Sequence, residues 1–135
     1  LSDAFTLDMT LIPDFGEAVS DNQVLNLTQF EVRFNENRQF FTEGTELFNK
    51  GGLFYSRRIG GSPMHSAADF LQDGEEVEKE PGETQLYNAT KISGRTTKGT
   101  GIGFFNAVSG ATNATLRAED ESERQVETNP LTNYN

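Results

Sequence analysis

The sequence predicts a mainly β domain with one short helix and a long irregular aromatic segment. Three observations point there. Apolar and polar residues alternate at period two near the start of the chain and again in its later part. Residues 24–34 switch to a spacing of three and four. Between these stretches, phenylalanines crowd together with arginines and glutamates in a pattern that follows neither period.

Residues 5–12 read Phe-Thr-Leu-Asp-Met-Thr-Leu-Ile. Phe5, Leu7, Met9 and Leu11 fall on one face and Thr6, Asp8 and Thr10 on the other, so the stretch is a strand. Pro13 and Gly16 end it, because proline cannot donate to a ladder and glycine permits a turn. Residues 24–34 put Val24, Leu27, Phe30 or Glu31, and Phe34 on the stripe of a short amphipathic helix. Asn26 or Thr28 can cap it, and Thr28-Gln-Phe-Glu31 matches a capping box. The helix is expected to stop near residues 35–37.

Residues 38–55 hold Phe40, Phe41, Phe48, Phe54 and Tyr55, interrupted by Gly44 and by Gly51-Gly52. Residues 53–59 read as a short strand before Gly60-Gly61. Residues 62–82 read as a polar loop, with Asp69, Asp73, Glu75, Glu76, Glu78 and Glu80 against the single base Lys79. That stretch is too acidic and too poor in strand formers to add to a core, and mobility is expected there. Residues 84–96 and 100–109 form the clearest pair, a β-hairpin with a short polar turn at 96–99. On the return strand Ile102, Phe104 and Val108 share a face. Gly101, Gly103 and Ala107 share the opposite one, whose small side chains leave room for something to lie against it. Residues 113–118 are expected to extend this strand outward, 119–127 to form a second acidic loop, and 126–134 to begin another strand.

Composition excludes several function classes. The 135 residues include 21 acids and 11 bases, a net charge of −10. Nucleic-acid binding needs a basic surface, so no nucleic-acid partner is expected. Without cysteine there is no disulfide framework, no thiolate zinc site and no cysteine nucleophile. Gly99-Thr-Gly101-Ile-Gly103 lies inside a hairpin and opens no helix, so it is not a dinucleotide loop. His65 stands alone in a Ser-Pro-Met-His-Ser loop without an orienting carboxylate or nucleophile. The acids of 69–83 lack the ligand spacing of a calcium loop. No cofactor and no metal are expected. Asn26, Asn88 and Asn113 each begin a glycosylation sequon, a cheap match in a chain rich in asparagine and threonine. Glu31, Arg33, Glu36, Arg38, Glu43, Glu46, Arg57 and Arg58 interleave with the phenylalanines. The favoured reading is arginine–carboxylate forks that tie one irregular segment to another in a partly buried space.

Several motifs occur in order: Ile12-Pro-Asp-Phe-Gly16, Asn26-Leu-Thr-Gln-Phe-Glu31, Asn35-Glu-Asn-Arg-Gln-Phe-Phe-Thr-Glu-Gly44 and Leu53-Phe-Tyr-Ser-Arg-Arg-Ile-Gly60. With Ala89-Thr-Lys-Ile-Ser-Gly-Arg95 and Gly101-Ile-Gly-Phe-Phe-Asn-Ala107, they resemble a family of Bacteroidetes outer-membrane proteins of unknown function. Many of those carry an N-terminal carbohydrate-binding module of the family 9 type, followed by a large C-terminal β-barrel. The likeness spans nearly the whole chain and corresponds to the first part of the barrel domain. Gln39 departs from it, standing where the family usually has proline, and the loop at 62–84 is this chain's own.

The resemblance implies a portion of a transmembrane antiparallel β-barrel. Its parts would be a first strand at 1–12, a helix and aromatic–arginine plug-like segment at 13–61, an acidic loop at 62–83, and a hairpin with the start of the next strand at 84–135. The turn at 96–99 would face the periplasm and the acidic loops the exterior. The residues that carry the family motif are Glu31, Arg38, Phe40, Phe41, Glu43, Gly44, Phe54, Tyr55, Arg57 and Arg58. The implied partners are outer-membrane lipid, the remaining strands of the same barrel or other outer-membrane proteins, and glycans through the carbohydrate module. The Leu1 start and the uncapped end suggest a piece of a longer polypeptide, and three to five strands cannot close a barrel. The expected role is therefore a segment of a transport, porin-like or scaffold protein, without catalysis. A soluble β-rich glycan-binding module using Tyr55 and Tyr87 is the alternative. A glycoside hydrolase using Glu36 and Glu43 is the third reading.

Overall fold

The computed structural model describes residues 4–12, 35–52 and 54–135. In chain order its elements begin with β1 (Ala4–Leu11) and a single helical turn, α1 (Gln39–Thr42). Short 3-10 turns follow at Lys50–Gly52, Ser56–Arg58 and Ala67–Phe70. Then come β2 (Glu75–Lys79), β3 (Leu86–Arg95), β4 (Gly101–Ser109), β5 (Thr112–Ala118), β6 (Glu123–Asn129) and β7 (Thr132–Tyr134). The predicted helix at 24–34 lies outside the described residues. The fold is mainly β, as expected, in two antiparallel sheets ordered β1-β3-β4-β7 and β2-β5-β6. Among the described residues neither sheet closes on itself.

The larger sheet follows the alternation read from the sequence. Leu7, Ile92 and Phe104 stand side by side across β1, β3 and β4, and Phe5, Gly94 and Ile102 form the next row. The predicted hairpin is present with its turn at 96–99. The Gly99 N–H donates to the Thr96 carbonyl at 2.9 Å, and Gly99 takes the left-handed φ of +84° that this turn requires. The small side of β4 is filled as foreseen: Leu47 lies against Gly101 and Phe48 against Gly103. Phe105 shares that side and becomes the hub of the main core, with the rings of Phe41, Phe48 and Phe54 at 6.1, 6.3 and 5.0 Å. Phe41, Ile59, Leu86, Ala89 and Ala107 complete the core.

Three expectations need correction. Of the strand expected at 53–59, Leu53 is not described and residues 54–59 form no strand, with Ser56–Arg58 making a 3-10 turn. The segment at 62–82 does add to a core. Ser66 caps the turn Ala67–Phe70 by accepting from the Ala68 N–H, and Asp69 accepts from the Ser66 N–H. Ala67 and Phe70 then pack on Ala114, Leu116 and Val126. Two of the acids of β2 are met by bases from β5 and β6. Arg124 forks onto Glu75 with both bonds at 2.7 Å and holds its pKa down to about 2. Arg117 reaches Glu78 at 2.8 Å. Finally, the second acidic loop is only a tight turn at 119–122, since Glu123–Asn129 is strand.

β4 runs on into β5, and β6 into β7, so one long hairpin serves both sheets, broken at Gly110-Ala111 and Pro130-Leu131. The strand expected at 126–134 is thus split by Pro130 between the two.

Gly94 is required by close approach. A Cβ there would lie 2.3 Å from the Ala4 carbonyl oxygen and 2.4 Å from the Phe5 ring. Gly94→Ala is expected to cost about 1–3 kcal/mol by forcing β1 away from β3. Thermal unfolding followed by circular dichroism should show the loss, and an unchanged midpoint would contradict the packing described.

Candidate functional site

The larger sheet presents two unlike faces, and the residues singled out in the sequence gather on one of them. Segment 35–61 lies against that inner face. Its centre is Arg38, only 5% exposed. Burying a guanidinium is costly unless its donors are all met. Here Nε and Nη2 fork onto the Glu36 carboxylate at 2.8 and 2.7 Å. Nη1 donates to the Ile59 carbonyl at 2.5 Å and Nη2 to the Ser56 carbonyl at 2.8 Å. The plane of charge also sits 4.3 Å from the centre of the Phe41 ring. This explains the 3-10 turn at Ser56–Arg58: an extended strand would not aim two carbonyls, three residues apart, at one guanidinium.

Glu36 accepts further bonds from the Arg38 N–H at 2.9 Å and the Ser56 hydroxyl at 2.6 Å. Burial pushes its pKa up, but the hydrogen bonds from Arg38 and Ser56 and the Arg38 charge outweigh that and hold it below the usual carboxylate value. Arg57 Nη1 lies 4.0 Å from Glu36, so an arginine of the Arg57-Arg58 pair does meet a carboxylate of the 31–46 stretch. Gly60, at φ +65°, and Gly61 close the turn. A Cβ on Gly61 would lie 2.6 Å from the Arg57 carbonyl oxygen, which leaves no space for a side chain.

A second cation serves the same segment from the sheet. Lys91 points inward from β3 and is 3% exposed. Its ammonium donates to the Phe40 carbonyl at 2.5 Å and to the Glu43 carbonyl, at the C-terminal end of α1. Asp8 Oδ2, on β1, lies 3.7 Å away, and the Phe40 ring centre 4.6 Å. Gly44, at φ +62°, passes close to Asp8 and Lys91.

The motif residues therefore separate by task. Arg38 and Arg57 share Glu36. Phe41 and Phe54 join the Phe105 core, with Phe40 edge-on to Phe41 at 5.1 Å. Phe40, Glu43 and Gly44 form the turn held by Lys91. The Tyr55 ring lies 5.6 Å from the Arg58 guanidinium. Glu43 also accepts from the Gln39 side chain at 2.9 Å. Glu31 lies outside the described residues. Sequence reasoning missed Lys91, Ser56, Asp8 and Phe105. A charge amid a strand, in register with the small face of the hairpin, was the available sign for Lys91.

His65 is exposed, with its ring 5.9 Å from Phe70. Among the described residues no three metal-ligating side chains converge.

The opposite face is apolar and exposed among the described residues. Phe5, Leu7, Met9, Leu11, Ile92, Ile102 and Phe104 are between 37% and 68% exposed. They form one continuous patch across three strands, far from the scattered single exposures of an ordinary surface.

These features define an antiparallel β unit with an aromatic–arginine filling on one face and, among the described residues, an exposed apolar face on the other. The chain belongs to the family described as Domain of unknown function (DUF5916), whose model matches residues 1–135. No curated protein and no solved structure matches it.

Removing one partner of a buried ion pair strands the other, at about 3–5 kcal/mol. Arg38→Met is expected to cost that much in chemical denaturation, and Arg38→Lys most of it, since an ammonium cannot span Glu36 and two carbonyls. The pH dependence follows from the lowered Glu36 pKa. Its contribution is full above the unfolded value of 4.5 and is lost as pH falls through the folded value. The stability gap between wild type and Glu36→Gln should thus be widest near neutrality and shrink below pH 4.5. A gap that stays constant to pH 3 would contradict the fork.

Proposed function

We propose that the larger sheet is part of the wall of a transmembrane β-barrel in a bacterial outer membrane, with segment 35–61 as filling on its lumen side. The protein then serves transport, a porin-like function or a scaffold role, not catalysis. The observation that carries this reading is the inverted alternation: side chains that a water-soluble sheet would bury stand exposed, while Asp8 and Lys91 point inward. A lipid-embedded barrel wants that order, apolar outward and polar inward. β1, β3 and β4 have 8, 10 and 9 residues, close to the roughly 9–11 that a tilted strand needs to cross a bilayer. Toward the smaller sheet the rows on the same face become mixed, with Thr90 and Asn106 beside Met9 and Asn88 between Leu11 and Val108.

On this reading the turn at 96–99 faces the periplasm, and the smaller sheet, rich in acids, stands beyond the membrane on the exterior. The remaining wall comes from further strands of the same barrel or from other outer-membrane proteins. The hydrolase alternative is weakened because Arg38 and Ser56 hold Glu36 as a carboxylate, unsuited to donate a proton. In the glycan-platform alternative Tyr87 lays one side of its ring over Gly110 and stays 46% exposed.

Single tryptophans placed in the full-length chain test the reading, since this stretch has none of its own. In vesicles with bromine on the lipid chains, fluorescence from Leu7→Trp and Phe104→Trp should fall by more than half. Thr6→Trp and Ser93→Trp, on the inward face, should keep most of theirs. Equal quenching at all four, or none at any, would sink the proposal.

A further inference from the structure

The inner face of the sheet is divided. Toward β4 it is apolar, with Phe105 and Ala107 covered by the phenylalanines of segment 35–61. Toward β1 it is polar. Thr6, Asp8, Thr10, Ser93 and Arg95 line it, and all of them retain exposure. Lys91 stands at the seam and is the one residue of this polar strip that is fully covered. What covers it is the turn Phe40 to Gly44, and both of its hydrogen bonds run to carbonyls of that turn.

We propose that Lys91 is a latch that holds the Phe40–Gly44 turn across the polar strip and so narrows the open side of the inner face. The two halves of the segment are anchored by different means. The far half, at residues 56–61, is tied to Arg38 and to Glu36, on its own segment. The near half, at residues 39–49, is held toward β4 by Phe41 and Phe48 on Phe105 and reaches the polar strip through the Lys91 ammonium, with Asp8 on β1 balancing the charge at 3.7 Å. Without the ammonium, the Phe40 and Glu43 carbonyls at the end of α1 lose their donor, and water is the remaining partner. An outward swing of this turn widens the strip lined by Thr6, Asp8, Thr10, Ser93 and Arg95. The claim that this swing admits solutes rests on the barrel reading above; the latch itself does not.

The test uses amide hydrogen exchange in the full-length chain, comparing wild type with Lys91→Met, which keeps the length and removes the donor. The Glu43, Phe48 and Asn49 amides, bonded to the Gln39 and Thr45 carbonyls, should exchange at least tenfold faster in the variant. The Ile59 amide, bonded to Ser56, and the paired amides of β3 and β4 should be unchanged. Aminoethylation of Lys91→Cys while unfolded, followed by refolding, rebuilds an ammonium of the same reach and should restore slow exchange. In vesicles, entry of a small uncharged sugar should rise at least threefold with Lys91→Met. Unchanged exchange at 43–49 overturns the latch, and so does equal acceleration in β3 and β4, which would mean general destabilisation. Selective release without added sugar entry overturns the narrowing. Failure of the barrel reading is separately visible, because the bromine quenching would then fail while the exchange pattern can still be read.

Discussion

A strand with a period-two pattern has one greasy face and one mixed face. Among the described residues, this protein packs the mixed face. Everything laid on the inner side follows from that choice. A mixed face cannot be covered by oil alone, because Asp8 and Lys91 would be stripped of water without replacement. It cannot be covered by polar groups alone, because Phe105, Ala107 and Leu86 would stay wet. The covering segment therefore mixes phenylalanines with turns whose carbonyls point at cations. That is why large aromatic rings and charges sit so close together in the 35–61 stretch.

The two cations solve different problems, and their chemistry fits each. Arg38 organises the covering segment itself. Its flat fork meets a carboxylate and two carbonyls at once, which fixes the relative position of residues 36, 56 and 59. Lys91 joins that segment to the sheet. A compact ammonium on a long flexible stem suits a seam where carbonyls and one carboxylate converge from two sides. The apolar contacts around Phe105 supply bulk attraction without direction. The polar pins decide which turn lies over which strand.

How much of this is legible in the sequence depends on range. The faces of β1 and β4 are legible because alternation is a local property of consecutive residues. The approach of Leu47 and Phe48 to Gly101 and Gly103 is half legible: the missing side chains announce a visitor without naming it. The arginine–carboxylate fork is foreseeable from crowded opposite charges, although its choice of Glu36 and Ser56 is not. Residues 53–59 mislead because Phe54 and Tyr55 favour strands, while the bend is imposed by Arg38 from more than fifteen residues away. Residues 75–79 mislead in the opposite sense. Four charges around Val77 look unfit for a sheet until Arg117 and Arg124 arrive from strands formed much later in the chain. Lys91 shows only as a charge in register with the hairpin's small face; its partners stay hidden, because they are backbone carbonyls, which every residue possesses.

The long hairpin shared by the two sheets has a consequence for the order of assembly. Strands β4 to β7 are neighbours in sequence, and their pairing can zip up from the turn at 119–122 with short loops throughout. β3 adds across another four-residue turn. β1 differs, since its end is held by Leu11 beside Asn88 and by the Ile12 N–H donating to the Tyr87 carbonyl, which must close a loop spanning residues 13–86. Loop closure grows dearer with length, so this pairing carries the largest entropic penalty in the sheet. β1 is thus the last strand to be secured and the first to peel away, and it takes Asp8 with it.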